Sequence, residues 1–357
     1  MKKFLLFLFS LLIGVILFVW ILETVGWQEI QSAFLVFTGW QGIVILFLTF
    51  LMILIGTWKW QEVLQETGAR ISFREIWRAY LAGFSIRFLA PIFIIGVEIF
   101  QGYILKKKNS IPWSQGMASV IIDRILEWTV NLVIVFWGGM FFLLMIDFPP
   151  MKLVMIFGSV FLIFLFGISF FYFKISKRES IVKAFAKLFN QKLSPVKRGE
   201  GGDEVKSQRP IDSQLFGIEK EIFNFFKLSK KKVIWKVFGL NLLRAGVMLW
   251  RTWLLIVFLG KSIGALPALS ILGFTYLAVM IPIPAALGSH EVIQTFAFSS
   301  LNLGAATAAA FTMIIRGAEL IVVLLGIVIL FRLGIFLIRD TFLKKINNFT
   351  ANNNARH

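Results

Sequence analysis

The sequence contains no cysteine and only two histidines. Without cysteine the chain has no disulfide, no thiolate nucleophile and no thiolate ligand for a metal. His290 stands in the stretch HEVIQ, which lacks the second histidine of the HExxH motif of zinc peptidases, and His357 is the last residue. Motifs of the G-x-S-x-G, P-loop and G-x-G-x-x-G kinds are missing too. We therefore expect no metal site, no cofactor and no hydrolase, kinase or dehydrogenase chemistry of the soluble kind.

Acidic residues are also scarce, because 19 Asp and Glu stand against 37 Lys and Arg, a formal net charge of +18. A basic protein can bind nucleic acid, but that function needs a basic face on a folded module. Here the Lys and Arg lie between and just beside apolar runs, which is typical of topology signals and of contacts with anionic lipid headgroups. We expect membrane lipids as partners, and no nucleic acid.

Apolar residues, by contrast, are abundant: 58% of the chain is hydrophobic and the mean hydropathy is +0.82. They form runs long enough to cross about 30 Å of hydrocarbon. We predict an all-α polytopic integral membrane protein whose first span, after the basic start MKK, is not cleaved. The six predicted full spans are 4–22, 40–58, 114–145, 151–173, 233–260 and 305–331. Two further apolar regions, 76–105 and 266–302, are interrupted near the middle by proline and charge.

The connections between spans differ sharply in Lys and Arg content. The connections 23–39 and 146–150 contain neither residue. The positive-inside rule then places both termini in the cytoplasm, and we expect the cytoplasmic (inner) membrane of a prokaryote. Region 76–105 would enter and leave on the cytoplasmic side, as a re-entrant segment or a hairpin of two short helices, and 266–302 would do so from the outer side. The basic residues assigned to cytoplasmic segments are Lys2, Lys3, Lys59, Arg70, Arg74, Arg78, Lys106, Lys107, Lys108, Arg332, Arg339, Lys344 and Lys345.

Residues 174–232 form the one long polar segment of the chain. Its middle, SPVKRGEGGDEVKSQRP, is rich in turn formers and is predicted to be disordered. Its flanks carry apolar residues at helical spacing, which predicts amphipathic helices lying on the inner leaflet, unless the segment is a solvated linker. The predicted organisation is a membrane repeat at 1–145, a second repeat at 146–331 containing this insert, and a cytoplasmic tail at 332–357.

The two interrupted regions resemble each other, which indicates an internal repeat. Each has a proline–glycine break followed by a glutamate, and each is followed by an Arg-x-x-Glu on a long helix. From glutamate to arginine there are 26 residues in the first copy and 25 in the second. Each unit would have three full crossings, so the second copy would be inverted, as in many transporters. The residues are Pro91, Gly96, Glu98, Arg124 and Glu127, then Pro282, Pro284, Gly288, Glu291, Arg316 and Glu319.

The breaks and the arginines suggest a site for an anionic headgroup. A broken helix in hydrocarbon exposes backbone groups that must be paired or must line a cavity, unless the prolines serve only as packing kinks. Guanidinium groups match phosphate bidentately, although the same residues could be structural ion pairs of Glu98 with Arg124 and of Glu291 with Arg316. His290 is either a structural residue or a proton-coupling group. Asp123 is expected to point elsewhere on its helix. The candidate headgroup ligands are Arg87, Glu98, Arg124, Glu127, His290, Glu291, Arg316 and Glu319.

Two stretches carry a resemblance to a known family. PIPAALGSHEVIQTFAFSSLNLGAATAAAFTMIIRGAELIVVLLGIVIL, with Pro284, Gly288, Glu291 and the lone Arg316, resembles the C-terminal signature of the lysylphosphatidylglycerol synthase transmembrane (flippase-like) family. FLAPIFIIGVEIFQGYILKKKNSIPWSQGMASVIIDRILEW resembles the corresponding first half. In place of the family's Gly-Gly-x-Gly the chain has AALG. Because no aminoacyltransferase domain follows, we expect a stand-alone member.

The resemblance implies lipid translocation or a related role in envelope lipid handling. Our leading hypothesis is a translocase for an anionic or aminoacylated phospholipid or a polyprenyl-phosphate-linked lipid, and so a transporter rather than an enzyme. A membrane-embedded enzyme of lipid or glycolipid transfer, with Glu98 or Glu291 as general base, is the first alternative. The second is a non-transporting partner of a separately encoded lipid synthase.

Overall fold

A computed structural model describes residues 39–89, 96–146, 151–177, 179–183, 197–198, 205–206, 210–228, 231–280 and 289–354. These residues are helical apart from loops and one short antiparallel pair, β1 (Lys197–Arg198) with β2 (Val205–Lys206), in which Lys197 faces Lys206. The helices are α1 (Trp40–Glu66), α2 (Phe73–Leu89), α3 (Gly96–Asn109), α4 (Trp113–Met145), α5 (Met151–Lys177), α6 (Pro210–Leu228), α7 (Lys231–Phe258), α8 (Ala265–Met280), α9 (Ser289–Ser300) and α10 (Ala305–Asn354).

Five of these helices are long and apolar enough to cross a membrane, namely α1, α4, α5, α7 and α10. They coincide with the predicted spans that begin at residues 40, 114, 151, 233 and 305. The sixth predicted span, 4–22, lies outside the described residues. The prediction of a helical, multi-pass membrane protein is therefore confirmed.

Two shorter helices stand in each interrupted region, α2 and α3 in the first and α8 and α9 in the second. Within each pair the two helices pack against one another. Gly96 begins α3, whereas Pro91, Pro282, Pro284 and Gly288 lie outside the described residues. Re-entrance stays a prediction, because it depends on where the bilayer lies.

The two halves of the chain are interleaved at close backbone contacts. Helix α4 of the first half packs on α8 of the second, and α10 of the second half packs on α2 of the first. A Cβ atom at Gly138 would lie 2.8 Å from the carbonyl oxygen of Leu269, and one at Gly326 would lie 2.7 Å from that of Leu81. Small residues at such seams let membrane helices approach until their backbones touch.

The backbone follows the same local course twice, at a constant spacing of 192 residues. Gly68 and Gly260, 192 positions apart, end the turns after α1 and α7 with φ values of 91° and 76°. Ser110 and Asn302, also 192 apart, are the two non-glycine residues with positive φ among the described residues, at 56° and 58°. Positive φ is uncommon outside glycine, so its recurrence at one spacing is informative. Helices α2 and α8, and α4 and α10, also begin 192 positions apart.

Helix α6, in the polar insert, packs on protein rather than presenting its apolar stripe to lipid. Its Ile218, Ile222 and Phe225 are buried against α4, α1 and α7, with Ile122 and Val63 among their neighbours. The first turns of α4 supply the matching apolar stripe, which sequence periodicity does not reveal, and the position of α6 at the inner leaflet stays a prediction.

Candidate functional site

A group of charged side chains is buried inside the helical bundle, and we call it the Glu127 cluster. Helices α1, α2, α3, α4 and α7 all contribute to it, so residues far apart in sequence meet. With its polar neighbour Asn241, it comprises Lys59, Arg87, Glu98, Asp123, Arg124, Glu127 and Arg244. Charged groups at membrane depth are expensive to bury and generally mark functional sites.

Glu127 is the centre of this cluster because it accepts hydrogen bonds from three cations. Its Oε2 lies 3.0 Å from Nζ of Lys59 and 2.9 Å from a terminal guanidinium nitrogen of Arg124. Its Oε1 lies 2.5 Å from a terminal nitrogen of Arg244. Arg124 and Glu127 share one face of α4 at i,i+3, as the sequence predicted.

Lys59 is fully buried and lies within α1, which corrects its assignment to the connection after this span. Besides Glu127, its ammonium group contacts Oδ1 of Asp123 at 3.2 Å and Oδ1 of Asn241 at 3.1 Å. Asp123 was expected to point away from Glu127, but the two lie at i,i+4 on α4 and both reach Lys59. The i,i+4 spacing was the sequence signal that could have found Asp123.

The remaining members of the cluster form a chain of contacts toward the first interrupted region. Oε1 of Glu98 lies 3.3 Å from Nε of Arg124 and 3.2 Å from a terminal nitrogen of Arg87. The pairing of Glu98 with Arg124, which the sequence left as an alternative, is therefore present. The side chain of Arg87 is 36% exposed, so the cluster reaches the protein surface at this end.

The Glu127 cluster has more cation than carboxylate and is not fully paired. Four cationic side chains face three carboxylates, which leaves one positive charge in excess when every group is ionised. The buried Nε atoms of Arg124 and Arg244 have no hydrogen-bond partner, nor does Oε2 of Glu98. The Nε of Arg124 is close to Glu98 but is not aligned for a hydrogen bond. An anion with several acceptor oxygens would complement these donors.

A second polar group, the Arg251 cluster, consists of Arg251, Glu319 and Thr49. Arg251 is 2% exposed and donates to Oγ1 of Thr49 at 3.1 Å. Its guanidinium nitrogens lie 3.3 and 3.4 Å from Oε1 of Glu319. Its Nε is buried without a hydrogen-bond partner.

The two clusters are related by the same spacing as the backbone turns. Adding 192 to Lys59, Glu127 and Thr49 gives Arg251, Glu319 and Asn241. Lys59 contacts Glu127 and Asn241, and Arg251 contacts Glu319 and Thr49, so these two contacts of Lys59 have their equivalents at Arg251. Long-range side-chain contacts repeating in this way are a much stronger sign of equivalence than sequence similarity alone.

The predicted site residues fall into four groups. Arg87, Glu98, Arg124 and Glu127 are brought together in the Glu127 cluster, and Glu319 lies in the Arg251 cluster. Arg316 lies on α10, is half-buried and takes part in an interaction. His290 and Glu291 lie in the first turn of α9, and their side chains are outside what the structure describes. Within the described residues no group of His, Asp and Glu has an arrangement that could hold a metal.

The sequence model of the lysylphosphatidylglycerol synthase TM region matches residues 7–326. The chain belongs to this family. Among curated proteins it is similar to UPF0104 membrane protein MJ1595 of Methanocaldococcus jannaschii, with 23% identity over 72% of this chain and 74% of that protein. It is also similar to UPF0104 membrane protein PH1989 of Pyrococcus horikoshii, with 25% identity over 74% of this chain and 78% of that protein. No solved structure matches the chain significantly.

The lysylphosphatidylglycerol synthase TM-region family and these relatives agree with the multi-pass membrane architecture. Both clusters lie within the stretch that the family match covers, since they run from Thr49 to Glu319.

Proposed function

We propose that this protein is a lipid translocase and that the Glu127 cluster binds the anionic headgroup of the lipid. The observation that carries the proposal is a buried, cation-rich cluster with unpaired guanidinium donors inside a membrane-spanning bundle. A phosphate of an anionic or aminoacylated phospholipid, or of a polyprenyl-phosphate-linked lipid, has the charge and acceptor oxygens that these donors lack.

The ion pairs of the cluster explain how a site can stay intact without its substrate. An isolated charge costs several kcal/mol to bury, so each cation needs a counter-ion whenever no headgroup is bound. Glu98 and Glu127 supply that counter-charge. An entering phosphate would replace some of these ion pairs, and they would form again when it leaves. The free-energy cost of separating the ion pairs therefore stays small.

The architecture that we propose for transport is a pair of inverted repeats. The reciprocal packing of α4 on α8 and of α10 on α2, together with the 192-residue spacing, supports two equivalent units. We propose that α2 with α3 is a re-entrant hairpin from the cytoplasmic side and α8 with α9 one from the outer side, with both termini in the cytoplasm. Transporters of this plan alternate access by moving one repeat against the other.

The test is transport of fluorescent lipids in proteoliposomes. Vesicles of phosphatidylcholine and phosphatidylglycerol would carry the protein and acyl-NBD phosphatidylglycerol or acyl-NBD phosphatidylethanolamine, with dithionite reporting the outer leaflet. Arg124→Gln removes the excess positive charge and a buried donor, so we expect transport to fall at least about tenfold. Arg87→Gln, at the exposed end of the cluster, is a milder variant and should also reduce transport. It provides the test if the Arg124→Gln protein does not fold.

The control is Lys236→Gln, which removes an exposed cation that pairs with Glu62 outside both clusters. Its transport should match the wild-type protein. Unchanged transport in both arginine variants would disprove a headgroup site at the Glu127 cluster, and no movement of either probe by the wild-type protein would disprove translocation of these phospholipids. Mass spectrometry of the recovered probes tests the enzyme alternative, because a translocase leaves their masses unchanged.

A further inference from the structure

The Arg251 cluster lies apart from the headgroup site proposed above, yet it has the properties of a site. Arg251 is almost completely buried, and its Nε donor has no partner although a carboxylate and a hydroxyl lie beside it. A guanidinium group needed only to neutralise Glu319 could use a two-bond geometry with both carboxylate oxygens. Here both terminal nitrogens approach the same oxygen, Oε1, so the Nε edge is left for another acceptor.

We propose that the Arg251 cluster is a second binding site, here called a station, for the phosphate of the transported headgroup, equivalent to the Glu127 cluster. The inference rests on the proposed function and adds a second binding site along the route of the headgroup. Each station has a buried cation held by a carboxylate of one helix and a polar side chain of another, at matching positions 192 residues apart. A headgroup released by one station would meet the same chemistry at the other.

The distance between the stations suits a path across a membrane. On α1, Thr49 marks one station and Lys59 the other, and on α7 Arg251 and Asn241 do the same. Ten residues of α-helix rise about 15 Å, which is about half of the ~30 Å hydrocarbon thickness. Two stations placed symmetrically about the midplane would therefore divide the crossing into three short steps instead of one long one.

A groove beside this path has the chemistry to hold the lipid tail. It has a volume of about 450 Å³ and is lined by Leu51, Ile55 and Trp58 of α1 and by Leu243 and Val247 of α7. These positions lie along the stretch that connects the two stations. Trp58 and Leu243 are exposed on the outside of the bundle, so an acyl chain could stay in the hydrocarbon while the headgroup moves inside.

The two stations differ in the charged side chains at equivalent positions. Three charged members of the Glu127 cluster, Arg87, Asp123 and Arg244, correspond at the 192 spacing to Val279, Ile315 and Met52. At these three positions the Arg251 side of the bundle therefore lacks a charge that the Glu127 cluster has. We expect the headgroup to dwell at the Glu127 cluster and to pass the Arg251 cluster transiently.

The experiment uses the double variant Arg251→Met with Glu319→Met in the proteoliposome assay. A buried pair with a purely structural role can be replaced by apolar residues of similar size without loss. A station cannot, so we expect transport at least about tenfold slower than wild type, while the number of lipids that native mass spectrometry finds on the protein is unchanged, because the Glu127 cluster still holds its lipid. The control is Lys174→Met with Glu179→Met, an ion pair at the end of α5 that lies outside both clusters and does not line the groove, and it should transport normally.

Glu319→Gln supplies a second, independent result if the double variant does not fold. It frees Arg251 for the phosphate, so we expect more lipid retained and slower transport. Transport by the double variant within twofold of wild type, or a Glu319→Gln protein with unchanged retention and unchanged transport, would overturn the second station and leave the proposed function standing. A wild-type protein that moves neither probe would instead overturn the proposed function for phospholipids, and the second station with it.

Discussion

Replacing Glu127 by glutamine should strongly destabilise the protein, because this carboxylate is shared by three cations. Glutamine keeps the size of the side chain, but Lys59 then has only Asp123 and Arg124 only Glu98 as a counter-ion. Arg244 loses the carboxylate with which it forms its ion pair. A hydrogen bond to a charged group contributes about 1.5–3 kcal/mol, and breaking a buried ion pair typically costs about 3–5 kcal/mol. Some of the three interactions are recovered through the amide oxygen, so we expect a loss of about 3–5 kcal/mol in the free energy of unfolding.

Unfolding in mixed micelles of dodecyl maltoside and SDS, followed by tryptophan fluorescence, measures this loss. The control Lys236→Gln breaks an exposed ion pair and should change the free energy by about 0–1 kcal/mol. Adding Lys59→Met to Glu127→Gln returns the cluster to one excess charge, so part of the stability should return, with a coupling of about 0.5–3 kcal/mol. Additive effects, or a Glu127→Gln protein within about 1 kcal/mol of wild type, would refute the central role of this carboxylate.

Two further predictions concern packing and the insert. Gly138→Ala should destabilise the protein by about 1–3 kcal/mol in the same unfolding assay, because its Cβ would lie 2.8 Å from a backbone oxygen. The neighbouring Gly139→Ala is the control: its Cβ meets nothing within 4 Å, so the change should be neutral or slightly stabilising. Glu219→Ala removes the acceptor for the backbone N–H groups of Ile181 and Val182, so limited trypsin digestion should cut at Lys183 several-fold faster than in wild type, and an unchanged digestion rate would contradict this contact.

Most of the architecture could be predicted from the sequence because the bilayer imposes it. Apolar runs of sufficient length identified the five described spans, and proline with charge identified the two places where a pair of short helices replaces one span. Arg124 and Glu127 were found because a helix brings i and i+3 onto one face. Each of these signals is local, so it can be read without knowing the fold.

The burial of Lys59 could not be predicted from the neighbouring sequence. A lysine near the end of an apolar run normally extends toward water, and the positive-inside rule counts it as a cytoplasmic residue. Here it is buried because Glu127, 68 residues later, and Asn241, 182 residues later, meet it inside the bundle. Such contacts depend on how the helices pack and have no signature in the neighbouring sequence.

The position of α6 follows the same reasoning. Its periodicity predicted a helix with one apolar face, but a lipid surface and a protein surface are equally good partners for such a face. The apolar residues of α4 decide between them, and Ile122 and Leu126 are spaced as in any membrane span. The sequence alone therefore predicts that the apolar face of α6 is covered, but not whether lipid or protein covers it.

The contact between Glu219 and the chain just after α5 also has a practical consequence. Its carboxylate accepts hydrogen bonds from the N–H groups of Ile181 and Val182 and from the hydroxyl of Ser180, so the chain just before the stretch 184–209 is held against α6, about 14 Å along that helix from Pro210. A compact soluble domain whose own ends are separated by a similar distance could replace that stretch without displacing the spans. Such a fusion would add a rigid, water-exposed mass to a protein that is otherwise mostly embedded, which is what particle alignment in electron cryo-microscopy requires.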